Sequence, residues 1–265
     1  MSAREVLRAV AAMSVISTST GMLACTKVST DPAAPVAIEI FAPVLPSLVV
    51  GDSMRDITGQ AVPLRASVFN SMNEPIADAP IHFLALDSAG RVALDTTTGN
   101  IVGRDTGDVM VIARVGNLQS EPITLTVVEP PTAMLAIDPL VDTLDYTIDF
   151  VTGRDTLRPM NVRLIHVAGS DTVNVPKFLV QYVFDYPAGH ENSDSTRVQL
   201  VDAGSRLASL FDTTGSDGTT TSALRITPFA TPDTDSVIVR ARAVQPGGTT
   251  TPIRFVVHYT IQVRQ

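Results

Sequence analysis

The sequence predicts an all-β protein made of two tandem antiparallel β-sandwiches, and three observations lead to that prediction. In several segments of five to eight residues, apolar residues recur at every second position, as in strands with one buried face. Gly, Asn, Asp and Pro separate these segments and favour turns. Hydrophobic residues make up 45% of the chain but aromatic residues only 5%. Small aliphatic residues and Thr must therefore fill the core.

Length and charge limit the function classes. The 265 residues are enough for two domains that each bury a core. Charged residues make up 17% of the chain, too few for a disordered protein with such regular patterning. The net charge of −8 argues against nucleic acid as a partner, because no run of Lys or Arg could neutralise phosphates.

The N-terminal residues 1–24 have the organisation of a signal peptide. Arg4 and Arg8 form a short positive region, and the apolar run 9–16 follows it. The segment then closes with Met22-Leu23-Ala24-Cys25, which resembles the end of a bacterial lipoprotein signal peptide. It departs from that pattern at Met22, where Leu is commonest, and at Leu23, where a small residue is usual. The stretch is too short and too polar to remain as a transmembrane helix.

The resemblance implies that Cys25 is lipidated and attaches the chain to a membrane. Cys25 is the single cysteine, so no intrachain disulfide forms. Thr26 follows it rather than an Asp, which by the same resemblance favours the outer membrane or cell surface. The alternatives are an ordinary secretory signal on a secreted protein, or no export at all. Residues 25–35 are rich in Thr, Ser, Pro and Ala and indicate a tether.

Residues 36–129 are predicted to form the first domain. Seven or so short strands with a turn signal roughly every 8–12 residues are typical of an immunoglobulin-like sandwich. The clearest alternation covers residues 62–69, 81–86 and 123–128. After it, Glu129-Pro130-Pro131 predicts a semi-rigid hinge.

Several short motifs of this domain resemble the bacterial immunoglobulin-like group-2 family of intimin-type surface proteins. They are Leu64-Arg65-Ala66, Arg91-Val92-Ala93, Gly99-Asn100-Ile101-Val102, and Gly107 ahead of the apolar run 109–113. Phe83 occupies the place where that family often has a core Trp. The resemblance implies a fold and a surface context, and it implies no activity.

Residues 132–265 are predicted to form the second immunoglobulin-like sandwich. Alternation is clear over 144–150, 178–184, 237–243 and 253–263. The run 214–219, which continues into Ala223-Leu224-Arg225-Ile226, resembles a turn and strand of invasin-type domains. Its physical content is a tight turn made by Asp217 and Gly218.

Few residues are candidates for chemistry. His190, Glu191, Asn192 and Asp194 gather nitrogen and oxygen ligands in one predicted loop, but they lack the regular spacing of a calcium loop. The four histidines have no partners at metal-ligand spacing, and His82 and His258 are expected to face solvent. The sequence therefore predicts no metal, no cofactor and no catalytic residue. Loops 186–196 and 212–220, which contain those four residues and Asp217, are the predicted partner-binding loops.

Three functions follow from these patterns. The first is a non-enzymatic, lipid-anchored spacer or adhesion module of the cell envelope. The second is a secreted or surface module that binds an envelope or host protein or glycan through the loops of the second domain. The third is an enzyme, which would require a converging acid–base pair that the sequence does not reveal.

Overall fold

The computed structural model describes residues 34–148, 156–185, 198–226 and 233–263. Every regular element assigned within these ranges is a strand, so the all-β prediction is confirmed. No helix in the described ranges is long and apolar enough to cross a membrane. The signal segment, most of the tether, Cys25 and the loop 186–197 lie outside the described residues.

The first half of the chain forms nine strands. They are β1 Ala37–Ile40, β2 Leu48–Val49, β3 Ala66–Phe69, β4 His82–Ala85, β5 Val92–Leu94, β6 Ile101–Gly103, β7 Gly107–Val115, β8 Leu118–Gln119 and β9 Ile123–Val128. One sheet has the order β2-β9-β7-β4, with β8 paired to β7. The strand pairs β1-β3 and β5-β6 lie outside that sheet.

The strand pairing of this half is that of an immunoglobulin-like fold. The strands β4, β7 and β9 share one sheet, as strands C, F and G do in that fold. The early strand β2 joins the same sheet by pairing parallel with β9, Leu48 opposite Val127 and Val49 opposite Val128. The other pairings in the half are antiparallel.

The second half forms eleven strands in its described residues. They are β10 Ala133–Ala136, β11 Val141–Ile148, β12 Thr156–Pro159, β13 Val162–Ala168, β14 Asp171–Asn174, β15 Leu179–Phe184, β16 Val198–Asp202, β17 Phe211–Thr213, β18 Ser222–Ile226, β19 Asp233–Ala243 and β20 Ile253–Val263. The sheets have the orders β11-β20-β19-β15-β17, β12-β18-β16 and β10-β13-β14.

The two halves share one topological feature. In the second half, β11 pairs parallel with the last strand, β20, just as β2 pairs parallel with β9. The strands next to each of these pairs are antiparallel. In each half, therefore, an early strand pairs parallel with the last strand.

Buried apolar side chains form two clusters, one in each half. The first cluster contains Val68, Phe83, Ile101, Val109 and Leu125 among its members. The second is rich in aromatic residues, with Phe178, Tyr182, Phe255 and Tyr259 all at most 1% exposed. The alternation that the sequence predicts over 253–259 is confirmed, because Phe255, Val257 and Tyr259 are buried while Arg254 and His258 are exposed.

Strand ends differ from the sequence predictions in two places. The predicted strand 62–69 pairs with β1 only from Ala66 onwards. Before that point the amide N–H groups of Val62 and Leu64 bond instead to the carbonyl oxygens of Met54 and Gly99, respectively. Thr126, which alternation predicts on the solvent side of β9, is 8% exposed. The reason for its burial is a contact from the second half, described below.

Candidate functional site

The predicted site residues divide into those the structure describes and those it does not. Cys25 and the residues His190, Glu191, Asn192 and Asp194 lie outside the described ranges. Asp217 is described and exposed. Its Oδ1 accepts the amide N–H of Thr219 at 3.0 Å, and this hydrogen bond holds the pKa of Asp217 below its ordinary value. Asp217 therefore has a turn-forming role, as its pairing with Gly218 in the sequence predicts.

The described residues form a junction between the two halves. We define the junction as Val49 and Val128 of the first half together with Lys177, Gln245 and Gly247 of the second. The ends of β2 and β9 bring Val49 and Val128 next to each other in parallel register. These two side chains, 4% and 2% exposed, belong to the second hydrophobic cluster rather than the first.

Gly247 packs directly against Val49. Gly247 has φ +98, and a Cβ placed on it would lie 3.1 Å from three carbons of the Val49 side chain. That spacing is tighter than ordinary van der Waals contact, so no side chain fits here without displacing Val49. Both the positive φ and the close approach to Val49 therefore favour glycine at this position.

Gln245 makes the central polar contact of the junction. Its side chain is 4% exposed, and its Nε2 donates to the carbonyl oxygen of Ser47 at 2.8 Å and to Ser47 Oγ at 2.9 Å. Its Oε1 accepts the amide N–H of Leu179 at 3.4 Å. A buried amide with both ends bonded adds orientation to the apolar contact, because a shifted partner would leave a buried polar group unpaired.

Lys177 makes a second polar contact and explains the burial of Thr126. Its Nζ donates to Thr126 Oγ1 at 2.8 Å, and Thr126 Oγ1 donates to Asp108 Oδ1 at 2.6 Å. The Lys177 ammonium lies 4.0 Å from the Asp108 carboxylate, with side chains 51% and 65% exposed. Because both charges are largely solvated, the ion pair itself contributes little stability.

The connecting segment is hydrogen-bonded to the second half. The carbonyl oxygen of Pro130 lies 2.7 Å from His166 Nδ1, and the carbonyl oxygen of Pro131 accepts the amide N–H of Thr249 at 3.0 Å. The amide of Thr132 then bonds to the Ile165 carbonyl in the second half. These contacts restrict the motion of the semi-rigid hinge that the sequence predicts at Glu129-Pro130-Pro131.

Two clefts of similar volume are relevant to binding, one between the two halves and one on the surface of the first half. One, of about 450 Å³, is beside the junction and is lined by Asp108, Glu129, Asn174 and their neighbours. The other, of about 460 Å³, is mostly apolar and contains Phe41 and Val44, with Val44 72% exposed; Arg55, Asp56 and Arg65 also line it. We call it the apolar cleft. A cleft of this size and composition can accommodate an apolar group of a partner.

Neither the junction nor the apolar cleft is predicted from the sequence. The signal for the cleft was the pair Pro43 and Pro46, which interrupts the alternation between β1 and β2. The signal for the junction was weaker, because Ser47 and Gln245 are separated by 198 positions. No local pattern links residues so far apart.

The shifted carboxylates serve local structure. The Arg55 guanidinium donates to both oxygens of Asp52, with two of the distances at 2.8 Å, and this hydrogen bonding holds the pKa of Asp52 below its ordinary value. Backbone amides lower the pKa of Asp95 and of Asp202 in the same way, Thr98 being the main donor for the first and Ser205 for the second. These carboxylates cap turns and remain ionised at neutral pH.

The described histidines occupy separate positions. His82 and His258 are exposed, as the sequence predicts, and His258 Nδ1 lies 2.6 Å from Ser236 Oγ. Over the described ranges, no group of three or more His, Cys, Asp or Glu side chains is arranged to hold a metal ion.

Comparison with known proteins gives structural similarity alone. No protein-family model matches the chain, and no curated protein matches it. Domains 4 and 5 of the S-layer protein SbsC are similar over 85% of this chain and 98% of theirs, with 10% identity and a TM-score of 0.31. The adhesin InvE of Yersinia pseudotuberculosis is similar over 84% of this chain and 58% of its own, with 16% identity and a TM-score of 0.33.

Drosophila N-cadherin EC1-3 is similar over 88% of this chain and 69% of its own, with 13% identity and a TM-score of 0.28. The chain spans 58% of the InvE structure and 28% of a longer SbsC structure. Identities and TM-scores of this size define no family. The immunoglobulin-like assignment therefore rests on the strand pairing of the chain itself.

Proposed function

We propose that this chain is a non-enzymatic spacer or adhesion module of the cell envelope. In this proposal residues 36–129 and 132–265 are two immunoglobulin-like sandwiches held as one stiff rod, and Cys25 attaches the rod to the outer membrane or cell surface through lipid. The observation that carries the proposal is the junction, in which Val49 and Val128 complete the second core and Gln245 reaches back to Ser47.

A packed junction is what a spacer requires. Domains joined by a flexible linker sample many orientations, so they present a distal surface poorly. Here the contact combines apolar burial, a buried amide bonded at both ends and a glycine with no space for a side chain. Any hinge motion would have to break these contacts together, so the two halves should move as a unit.

The anchor is proposed from the sequence. Removal of the signal residues 1–24 would leave a lipidated Cys25 at the start of the mature chain, followed by the tether to residue 35. The tether then separates the membrane surface from β1 at Ala37. The result would be a rod presented at a distance from the membrane.

Intact-mass spectrometry of the protein from its native membrane tests the anchor. We expect a mature chain that begins at Cys25 and carries added acyl mass, and we expect the Cys25→Ala variant to lack that mass. An unacylated chain cut elsewhere would replace the anchor with free secretion. An uncut chain in the cytoplasm would contradict the proposed function.

A second candidate function is a secreted or surface binding module for a protein or glycan partner. The apolar cleft favours it, because Phe41 and Val44 are exposed at 44% and 72% although both are large and apolar. The loops 186–196 and 212–220 are further proposed contacts. Pull-down from envelope extracts compares the wild type with Val44→Asp and with Val36→Asp, an exposed apolar control. A partner lost in Val44→Asp and kept in Val36→Asp would support the binding function, and no captured partner would favour a purely mechanical one.

A further inference from the structure

Three arginines lie on one outer face of the five-stranded sheet of the second half. Arg240 and Arg242 are two positions apart on β19, and Arg254 lies on β20 directly opposite Arg240 in the antiparallel register. All three are exposed, and the neighbouring residues Val239, Ala241 and Phe255 point into the core. We call Arg240, Arg242 and Arg254 the arginine face.

The arrangement places positive charge densely on a rigid surface. Directly opposite residues in an antiparallel pair have Cβ atoms roughly 5 Å apart, and like charges at that spacing are destabilising. Residues two apart on a strand are separated by about 7 Å. The sheet therefore keeps the Cβ atoms of three arginines close together.

The local anionic partners compensate the charge only in part. Arg240 forms an ion pair with Asp185 at 2.6 Å. Arg242 Nε donates to the neutral amide oxygen of Gln181 at 2.8 Å. Within the described residues, no ion pair joins Arg242 or Arg254 to a carboxylate. Arg242 Nη2 donates to the same Gln181 oxygen, so the Nε/Nη2 edge of this guanidinium is occupied. Among the described residues, the Nη1 side of Arg242 and the guanidinium of Arg254 keep donors that can bind an incoming carboxylate.

The surroundings of the arginine face resemble a protein interface. Phe211, on the edge strand β17, pairs with Gln181 and is 47% exposed. Val183 and Val256 lie on the same face and are half-buried. Arginine beside an exposed aromatic residue on a flat surface is a composition enriched in protein–protein contacts.

The charge of the chain itself indicates the partner. Residues 36–129 contain eleven Asp and Glu against five Lys and Arg, a net charge of −6. Residues 132–265 contain fourteen against eleven, a net charge of −3. The first half is the more acidic of the two, so its charge is the one in this chain that best complements the arginine face.

We propose that the arginine face binds the acidic first half of a second copy of this chain. The contact joins unlike surfaces, so each bound copy leaves one arginine face and one acidic half open, and the association can continue into longer assemblies. This inference goes beyond the proposed spacer function, and it holds whether or not Cys25 carries lipid.

Sedimentation of the full chain with Cys25→Ala tests it. We expect concentration-dependent association that weakens as salt is raised. The double variant Arg242→Gln with Arg254→Gln should weaken association by about tenfold or more, which corresponds to roughly 1.4 kcal/mol. These two side chains were chosen because neither forms an ion pair within the described residues, and thermal unfolding would verify that the variant is folded.

The matched control removes the same charge from the other half. Arg104→Gln with Arg114→Gln makes residues 36–129 more acidic, so association should be unchanged or stronger. A wild-type chain that stays monomeric at all concentrations would overturn the proposal, as would association that the arginine-face variant leaves intact. Monomeric protein retained on dextran sulfate through Arg254 would also overturn it, in favour of a polyanionic ligand.

Discussion

The two hydrophobic clusters differ in what encloses them. The first consists of aliphatic residues with one buried ring, Phe83, and all of its members belong to the first half. The second encloses Phe178, Tyr182, Phe255 and Tyr259, and it also includes Val49 and Val128 from the first half. The first core is complete within its own half, whereas the second is closed by residues of its neighbour.

This asymmetry indicates that the two halves are coupled through the second core. The second core includes side chains of the first half, so separating the halves would expose apolar surface. The stabilities of the two halves are therefore coupled. The buried Gln245 and the close approach of Gly247 to Val49 add geometric specificity to that coupling. The junction is therefore part of the second core and not a passive linker.

The largest predicted effect comes from truncating a ring in the second core. Phe178→Ala should lower the free energy of unfolding by about 3–5 kcal/mol, since the side chain is fully buried. Hydrogen exchange should also accelerate at the end of β2, because Val49 belongs to the same cluster. Hydrogen-exchange mass spectrometry with denaturant titration measures both effects.

Phe83→Ala is the matched change in the first core. It should cost a similar amount, and its effect on exchange should stay within residues 36–129. If Phe178→Ala left the exchange of β2 unchanged, the two cores would be independent and the asymmetry would not exist.

The next effect tests the junction directly. Gly247→Ala should destabilise the chain by about 1–3 kcal/mol, because the new Cβ would crowd Val49 and the backbone has a positive φ. Gly116→Ala is the control, since Gly116 also has a positive φ of +59 but a Cβ added to it would meet no atom within 4 Å. The control should cost about 1 kcal/mol from backbone strain alone. Equal losses in thermal unfolding would show that the junction contact contributes nothing.

A smaller effect concerns the polar interior of the second core. The Tyr182 hydroxyl lies 2.6 Å from Thr220 Oγ1, and both residues are fully buried. Tyr182→Phe should cost about 1–2 kcal/mol. Burial raises the pKa of the Tyr182 phenol above its ordinary value of 10.0. The folded state therefore favours the protonated phenol, and the stability this provides is present below pH 10.0 and is lost as pH rises further.

Denaturant titrations across alkaline pH would measure this loss, which should be shallower in Tyr182→Phe than in the wild type. An identical slope in the two proteins would contradict the assignment of the loss to Tyr182.

The smallest effect concerns the turn at Asp217. The hydrogen bond from the Thr219 amide lowers the pKa of Asp217, so its stabilisation is present above the ordinary value of 3.8 and is lost as pH falls below it. Asp217→Asn should therefore flatten the acid side of the stability curve and leave the neutral region nearly unchanged. Glu121→Gln, an exposed carboxyl outside such a turn, is the control. The same flattening in both variants would contradict a role for the turn.

The sequence predicts the class and much of the strand content but not the junction. Alternation locates β15, β19 and β20 because a buried apolar residue recurs at every second position in each strand, although Ile238 on the outer face of β19 is buried as well. It does not locate short strands such as β8 or β17, where two or three residues give no period. Thr126 follows the solvent pattern of its strand and is covered by Lys177, 51 positions away, so its burial is a tertiary effect.

Candidate site residues divide in the same way. Asp217 is predictable because an Asp and a Gly determine a turn locally. Gln245 is not, since a lone Gln after a strand reads as an exposed loop residue until Ser47 is brought against it. The arginines of β19 and β20 alternate visibly in sequence, but their opposition depends on the register between the two strands.

We propose that the junction holds the two halves in one orientation. The distribution of distances between one spin label in each half tests this most directly. Spin labels at Ser71→Cys and Thr143→Cys, in the Cys25→Ala chain, would place one exposed probe in each half. Double electron–electron resonance should give a single narrow distribution, which broadens when Gln245→Ala is added. A broad distribution in the chain with an intact junction, unchanged by Gln245→Ala, would contradict the account.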